Sequence, residues 1–112
     1  MINNIATDKI FTIVTCRDKP GPDIARIRRE KLPEHLVHIE ETLEDIMLAG
    51  PIFAPDGASI CGSILIYKTN DQKKAQTLLE ADPYYKAAIW QDITYDVFYG
   101  AAGKAVGGLS YK

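Results

Sequence analysis

Two runs in this chain, KIFTIVTCRD and ICGSILIYK, are rich in β-branched and aromatic residues and read as strands. Each carries apolar residues on both faces. Phe11, Ile13 and Val14 are one instance, and Ile64, Leu65 and Ile66 another. Successive side chains of a strand point to opposite sides, so a sheet wetted on one side alternates apolar with polar residues. These runs do not alternate, so both faces of the sheet need cover. Helices of a short chain can cover one. An open apolar face larger than roughly a few hundred Å² is rare on a soluble monomer. A second copy of the sheet is the expected cover, which predicts a homodimer packed through the sheet faces.

The remaining segments supply the helices. The first strand is expected over residues 9–17, followed by the breaker loop KPGPD. IARIRREK has a short helical pattern, and Pro33 suits the first turn of a longer helix. In that helix Leu36, Ile39, Leu43, Ile46 and Met47 form one buried stripe, with Gly50 and Pro51 as its stop. PIFAP reads as a short strand and DGAS as a turn. In ICGSILIYK, Ile60, Gly62, Ile64 and Ile66 share one face, and Cys61, Ser63, Leu65 and Tyr67 the other. Asn70 or Asp71 caps a helix to about Glu80, and a last strand runs from about Ile89 to Tyr99. The order β-α-β-β-α-β predicts an α+β, ferredoxin-like protomer with a four-stranded antiparallel sheet and both helices on one face. Residues 1–99 make the domain. Residues 100–112 make a glycine-rich C-terminal tail, either mobile or wrapped on a partner chain.

A formal net charge of −2 exerts no general pull toward nucleic acid or anionic membrane. The one basic cluster, Arg26, Arg28, Arg29 and Lys31, is interrupted by Glu30 and lacks aromatics, so it reads as a solvated helix face. Cys16 and Cys61 have no CxxC spacing and read as reduced thiols of a cytoplasmic protein. No secretory pattern opens the chain, and no apolar run approaches about 18 residues.

Among residues that could carry chemistry, His35 lies about 70° from the centre of the helix stripe and His38 about 130° away, at 100° per residue. A histidine at the border of core and water can titrate near neutrality and still reach a ligand. Its plain alternative is a border residue bonded to backbone. As a metal pair HxxH is too few ligands for tetrahedral zinc, so no metal is expected. Asp82 before Pro83 is a good helix N-cap. Its carboxylate could equally orient a histidine ring, and the two roles are compatible. Ser63 follows Gly62 on a central strand, where a missing side chain makes room for a ligand or for close packing. No GxSxG surrounds it. Tyr84, Tyr85 and Trp90 read as core or pocket wall. GxGxxG, P-loop, zinc and EF-hand patterns are all missing, so no cofactor is expected.

Taken in order, Arg28, LPEHLVHI, AGPIF, DGASICGSILIY and ADPYYKAAIWQDI make the chain resemble the YciI-like (YCII-related) family from about Ile10 to Val97. The resemblance implies a ferredoxin-like protomer forming a dimeric α+β barrel, with an active site around a histidine and an aspartate. By that resemblance they are His35, two residues after the helix proline, and Asp82 of the Asp-Pro-Tyr motif. The serine after glycine in the third strand is Ser63. The family often has arginine just before the proline, where this chain has Leu32, so the neutralisation of an anionic substrate falls to Arg28 or is lost.

The resemblance extends to isomerases of the muconolactone type and a dehydrochlorinase among related barrels. It implies a small cofactor-independent enzyme in which Asp82 orients His35 for proton transfer, with Ser63, Arg28 and Tyr84 binding substrate. Two other readings stand beside it, a non-catalytic small-molecule-binding or accessory module and a purely structural protein.

Overall fold

The computed structural model describes residues 6–110. Strand β1 spans Ile10–Asp18, helix α1 Asp23–Glu41, β2 Ile46–Phe53, β3 Ile60–Tyr67, α2 Gln72–Glu80, α3 Pro83–Lys86 and β4 Trp90–Tyr99. The four strands form one sheet in the order β2-β3-β1-β4, antiparallel throughout. With the helices on one side, this is the ferredoxin-like α+β arrangement.

The register decides what each face carries. Val14 lies between Leu65 and Tyr95, and Cys16 between Ser63 and Ile93. Val14, Cys16, Leu65 and Tyr67 meet Ala75 and Leu79 of α2, Tyr84 of α3, and Ile89 and Trp90, which together make the core. Ile24, Ile27 and Ile39 of α1 pack against its edge. On the other face Ile13 pairs with Ile66, and Ile66 with Leu48. There Leu48 is 67% exposed, Phe98 49% and Ile64 37%. One sheet face is a packed core, while much of the other is open apolar surface.

Local chemistry explains the helix starts. Asp71 accepts from the Lys73 and Lys74 amides at 2.9 and 3.4 Å, capping α2. Asp82 accepts from the Tyr84 amide at 2.9 Å, and Pro83 takes the first helical position of α3, where no N–H is needed.

Three expectations are corrected. Pro33 does not start a helix; α1 runs through it from Asp23. Pro33 removes one N–H from the ladder, but it and Arg29, whose carbonyl four residues back loses its donor, are both exposed residues, where water can satisfy the freed group. The long helix does not reach Gly50. It ends at Glu41, a 3₁₀ turn covers Leu43–Asp45, and Ile46 and Met47 open β2. Pro51 is tolerated in β2 because it is an edge strand. Finally, much of the glycine-rich tail folds back. Ala102–Gly103 (β5) pairs with Gly108–Leu109 (β6), and Val106 between them is buried. A Cβ on Gly100 would stand 2.8 Å from Val106 Cγ1 and 2.9 Å from Phe11 Cε2, so a larger residue there would push these side chains apart.

Candidate active site

Helix α1 does not lie flat over β2 and β3. Between them is a cavity of about 270 Å³, with Arg28, His35 and Ile39 on the helix side, Pro51 and Ser63 on the sheet side, and Tyr84 at one end. That is just below the roughly 300–1,000 Å³ of pockets for drug-sized ligands, and suits a compound of about one ring. Leu32 and Leu36, 43% and 53% exposed, make its mouth apolar. A more open depression on the β1–α1 loop is lined by Asp18, Lys19 and Ile24 and contains neither histidine.

His35 points inward. Its Nδ1 stands 2.8 Å from Asp82 Oδ1 and 2.9 Å from Oδ2. A carboxylate only accepts hydrogen bonds, so this geometry puts the ring proton on Nδ1 and leaves the Nε2 lone pair free. No protein partner engages Nε2 among the described residues. The His35 side chain is 18% exposed and Asp82 fully buried. Asp82 therefore both caps α3 and faces the imidazole, as its position before Pro83 permits. The inward side of α1 centres nearer His35 than Leu36, because the buried stripe continues back to Ile24 and Ile27 rather than forward to Leu43, which is exposed.

Two turns earlier on the same helix, Arg28 is 8% exposed, which corrects its placement on a solvated face. Its Nε and Nη2 donate to the two oxygens of Asp18, each at 2.8 Å, and Nη2 also donates to Ser63 Oγ at 3.0 Å. This fork-to-fork pairing is specific to arginine. Tyr84 links the two pairs. Its ring stacks on His35 with centroids 4.0 Å apart and a 13° interplanar angle, and Arg28 Cζ lies 5.1 Å from the ring centre. Its hydroxyl donates to the Arg28 carbonyl at 3.2 Å. Burial raises the Tyr84 phenol, with Arg28 pulling the other way. Tyr85 does not line this cavity, contrary to its reading as pocket wall.

Behind Asp82 the surroundings are dry. Burial, then the Asp82 charge, pushes the Cys16 thiol up to about 12. The same two causes, in the same order, raise Tyr67. Gly62 serves close packing rather than a ligand, since a Cβ there would collide with the Cys16 carbonyl.

Asp18 is the site residue that sequence reasoning missed. Its signal was present: an acid at the end of a strand, followed by KPGPD and then by an arginine one helix turn into α1. Among the described residues no group of three or more His, Cys, Asp or Glu side chains could hold a metal ion, and no helix is long and apolar enough to cross a membrane.

Comparison with solved structures places the fold. The 5-chloro-2-hydroxyhydroquinone dehydrochlorinase TftG from Burkholderia phenoliruptrix AC1100, in complex with 2,5-dihydroxybenzoquinone, superposes with a TM-score of 0.64 at 23% identity, covering 84% of this chain and 96% of that one. A chain from Chloroflexus aurantiacus J-10-fl assigned as an antibiotic biosynthesis monooxygenase gives 0.44 at 13% identity, covering 84% and 97%. The first of these likenesses supports the ferredoxin-like α+β fold of the protomer. No curated protein matches. The family model of the YCII-related domain matches residues 10–98, and the chain belongs to that family.

Proposed function

We propose that this protein is a small enzyme of isomerase or lyase (dehydrochlorinase) type, in which His35 and Asp82 move a proton on a small organic compound. The observation that carries this reading is the His35–Asp82 contact at 2.8 and 2.9 Å, beside a ring-sized cavity. Asp82 accepts a hydrogen bond from Nδ1–H and, staying ionised, stabilises the imidazolium formed when Nε2 takes a proton from substrate. The electron pair left behind either shifts along the substrate or expels a leaving group as its anion. Nε2–H then returns the proton to a second atom, or to solvent. Nothing beyond the two side chains is needed for this sequence, and a positioned acid–base group contributes about 10²–10⁴-fold. The dehydrochlorinase chemistry of the similarly folded TftG supports the class. The working form is a homodimer joined through the open sheet face, supported by the exposed Leu48, Ile64 and Phe98, and its two free cysteines support a cytoplasmic setting.

The test is turnover. Chloride release from 5-chloro-2-hydroxyhydroquinone, and double-bond migration in small unsaturated lactones, are followed for the wild type and His35→Gln. Conversion that disappears in the variant, with circular dichroism unchanged, is expected. Binding across the panel with every compound recovered intact makes the protein a non-catalytic binding module. Equal turnover by the variant removes His35 from the mechanism.

A further inference from the structure

Ser63 sits at the sheet side of the cavity, 7% exposed, and its Oγ accepts an N–H from Arg28 at 3.0 Å. A hydroxyl has one proton to give as well as lone pairs to offer. Here the lone-pair side is taken by a guanidinium, while among the described residues the Ser63 proton has no acceptor within the fold. A hydroxyl that accepts from a cation becomes a stronger donor, more so in a low-dielectric site. Asp18 grips the same guanidinium through two 2.8 Å bonds, so the pair has no net charge. The cavity is thus offered a polarised donor without a net cation to hold a substrate carboxylate or phosphate.

The position of this donor relative to His35 is set by α1. Arg28 and His35 are seven residues apart, about 10 Å along a helix at ~1.5 Å per residue, and both rest on the Tyr84 ring. A compound of one ring in the cavity can meet the imidazole with one edge and the serine with another.

We infer that Ser63, polarised by Arg28, donates a hydrogen bond to the substrate oxygen that gains negative charge as His35 removes a proton, and that the substrate is an uncharged, roughly single-ring carbonyl or hydroxyl compound. The step is balanced within the site. A C–H or O–H bond breaks, its proton goes to Nε2, and its electron pair moves onto the oxygen facing Ser63 as an enolate or phenolate. Reprotonation from Nε2 reverses the charge. This deepens the acid–base reading and rests on it. Asp18, which does not itself line the cavity, acts as a positioning residue for Arg28.

The probe is 4-nitrophenol, whose absorbance reports its ionisation without turnover. Bound to the wild type, it should be about tenfold more ionised at pH 6 than when free, because a donor aimed at the oxygen favours the charged form. Ser63→Ala, which deletes one buried oxygen, should remove most of that gain, and should lower ionisation in a His35→Gln background as well, where no imidazole is present to take the phenol proton. The permanently charged 4-nitrobenzoate should bind at least about tenfold more weakly than 4-nitrophenol. An unchanged gain in Ser63→Ala, equal or tighter binding of 4-nitrobenzoate, or no binding of 4-nitrophenol at millimolar concentration each overturns the inference. Failure of the acid–base reading looks different: His35→Gln would turn substrate over normally while the probe still ionised through Ser63.

Discussion

Helix α1 carries two basic side chains on one face, seven residues apart, and each meets an aspartate. Arg28 and Asp18 share two 2.8 Å bonds with a third to Ser63, and both side chains are under 10% exposed. His35 and Asp82 share a similar distance, but only one ring nitrogen is engaged and the imidazole is 18% exposed. The first pair is closed on itself. The second leaves a nitrogen that, among the described residues, has no partner and can bind what enters the cavity. Two like-looking contacts between a basic side chain and an aspartate can therefore differ in kind, one closed and fixing shape and polarity, the other open toward the cavity.

That division has measurable consequences. The largest is expected at the open pair. Asp82→Asn keeps an oxygen to cap α3 but can present its amide to Nδ1 and stabilise the wrong ring tautomer. The turnover number should fall about 10²–10⁴-fold with little change in thermal unfolding. A large loss of stability instead would make the two pairs alike. Next is the closed pair. Arg28→Ala strands the buried Asp18 carboxylate, which costs about 3–5 kcal/mol and should lower Tm by roughly 10–20 °C. A drop of only a few degrees in differential scanning calorimetry would show that Asp18 finds another partner.

A smaller effect reads the field of Asp82 from behind. The folded-state Cys16 thiol holds its proton to about 12, above its ordinary 9.0, chiefly through burial and then through Asp82. Between those values the unfolded chain has released a proton that the folded chain retains. The stabilisation is complete below about pH 9 and is lost as pH rises through 12. Tm should fall across that window, and Cys16→Ala should flatten that part of the fall. Cys61, partly exposed, should react with a thiol reagent in the native protein while Cys16 does not. The smallest effect is a baseline remote from both pairs. Asp71→Ala, which deletes the α2 cap, should cost about 1 kcal/mol, or about 4 °C.

The closed pair was the harder to see in the sequence, for physical reasons. Strand β3, the α2 cap at Asp71 and the α3 cap at Asp82 follow from local chemistry, and local chemistry is legible. The end of α1 is not, because Leu43, Ile46 and Met47 satisfy a helical period while the backbone of residues 46–53 pairs with β3. Long-range hydrogen bonding settled that ambiguity, as tertiary context commonly does. Arg28 looked solvated because its neighbours Arg26, Arg29 and Lys31 are more exposed, and its burial depends on Asp18, ten residues away and across a loop. A pairing made by topology leaves no periodicity to read. His35 and Asp82 came to notice through motif resemblance and capping chemistry, not through any spacing between them.

The claim on which the site account turns is that Asp82 holds the His35 proton on Nδ1 and leaves Nε2 bare. Two-bond ¹H–¹⁵N correlation spectra of ¹⁵N-histidine-labelled protein, recorded at the alkaline end of the imidazole titration, report this directly. His35 Nδ1 should resonate as a protonated, pyrrole-type nitrogen and Nε2 as an unprotonated, pyridine-type one, with the pattern lost in Asp82→Asn. A His35 ring whose proton sits on Nε2 in the wild type would contradict it.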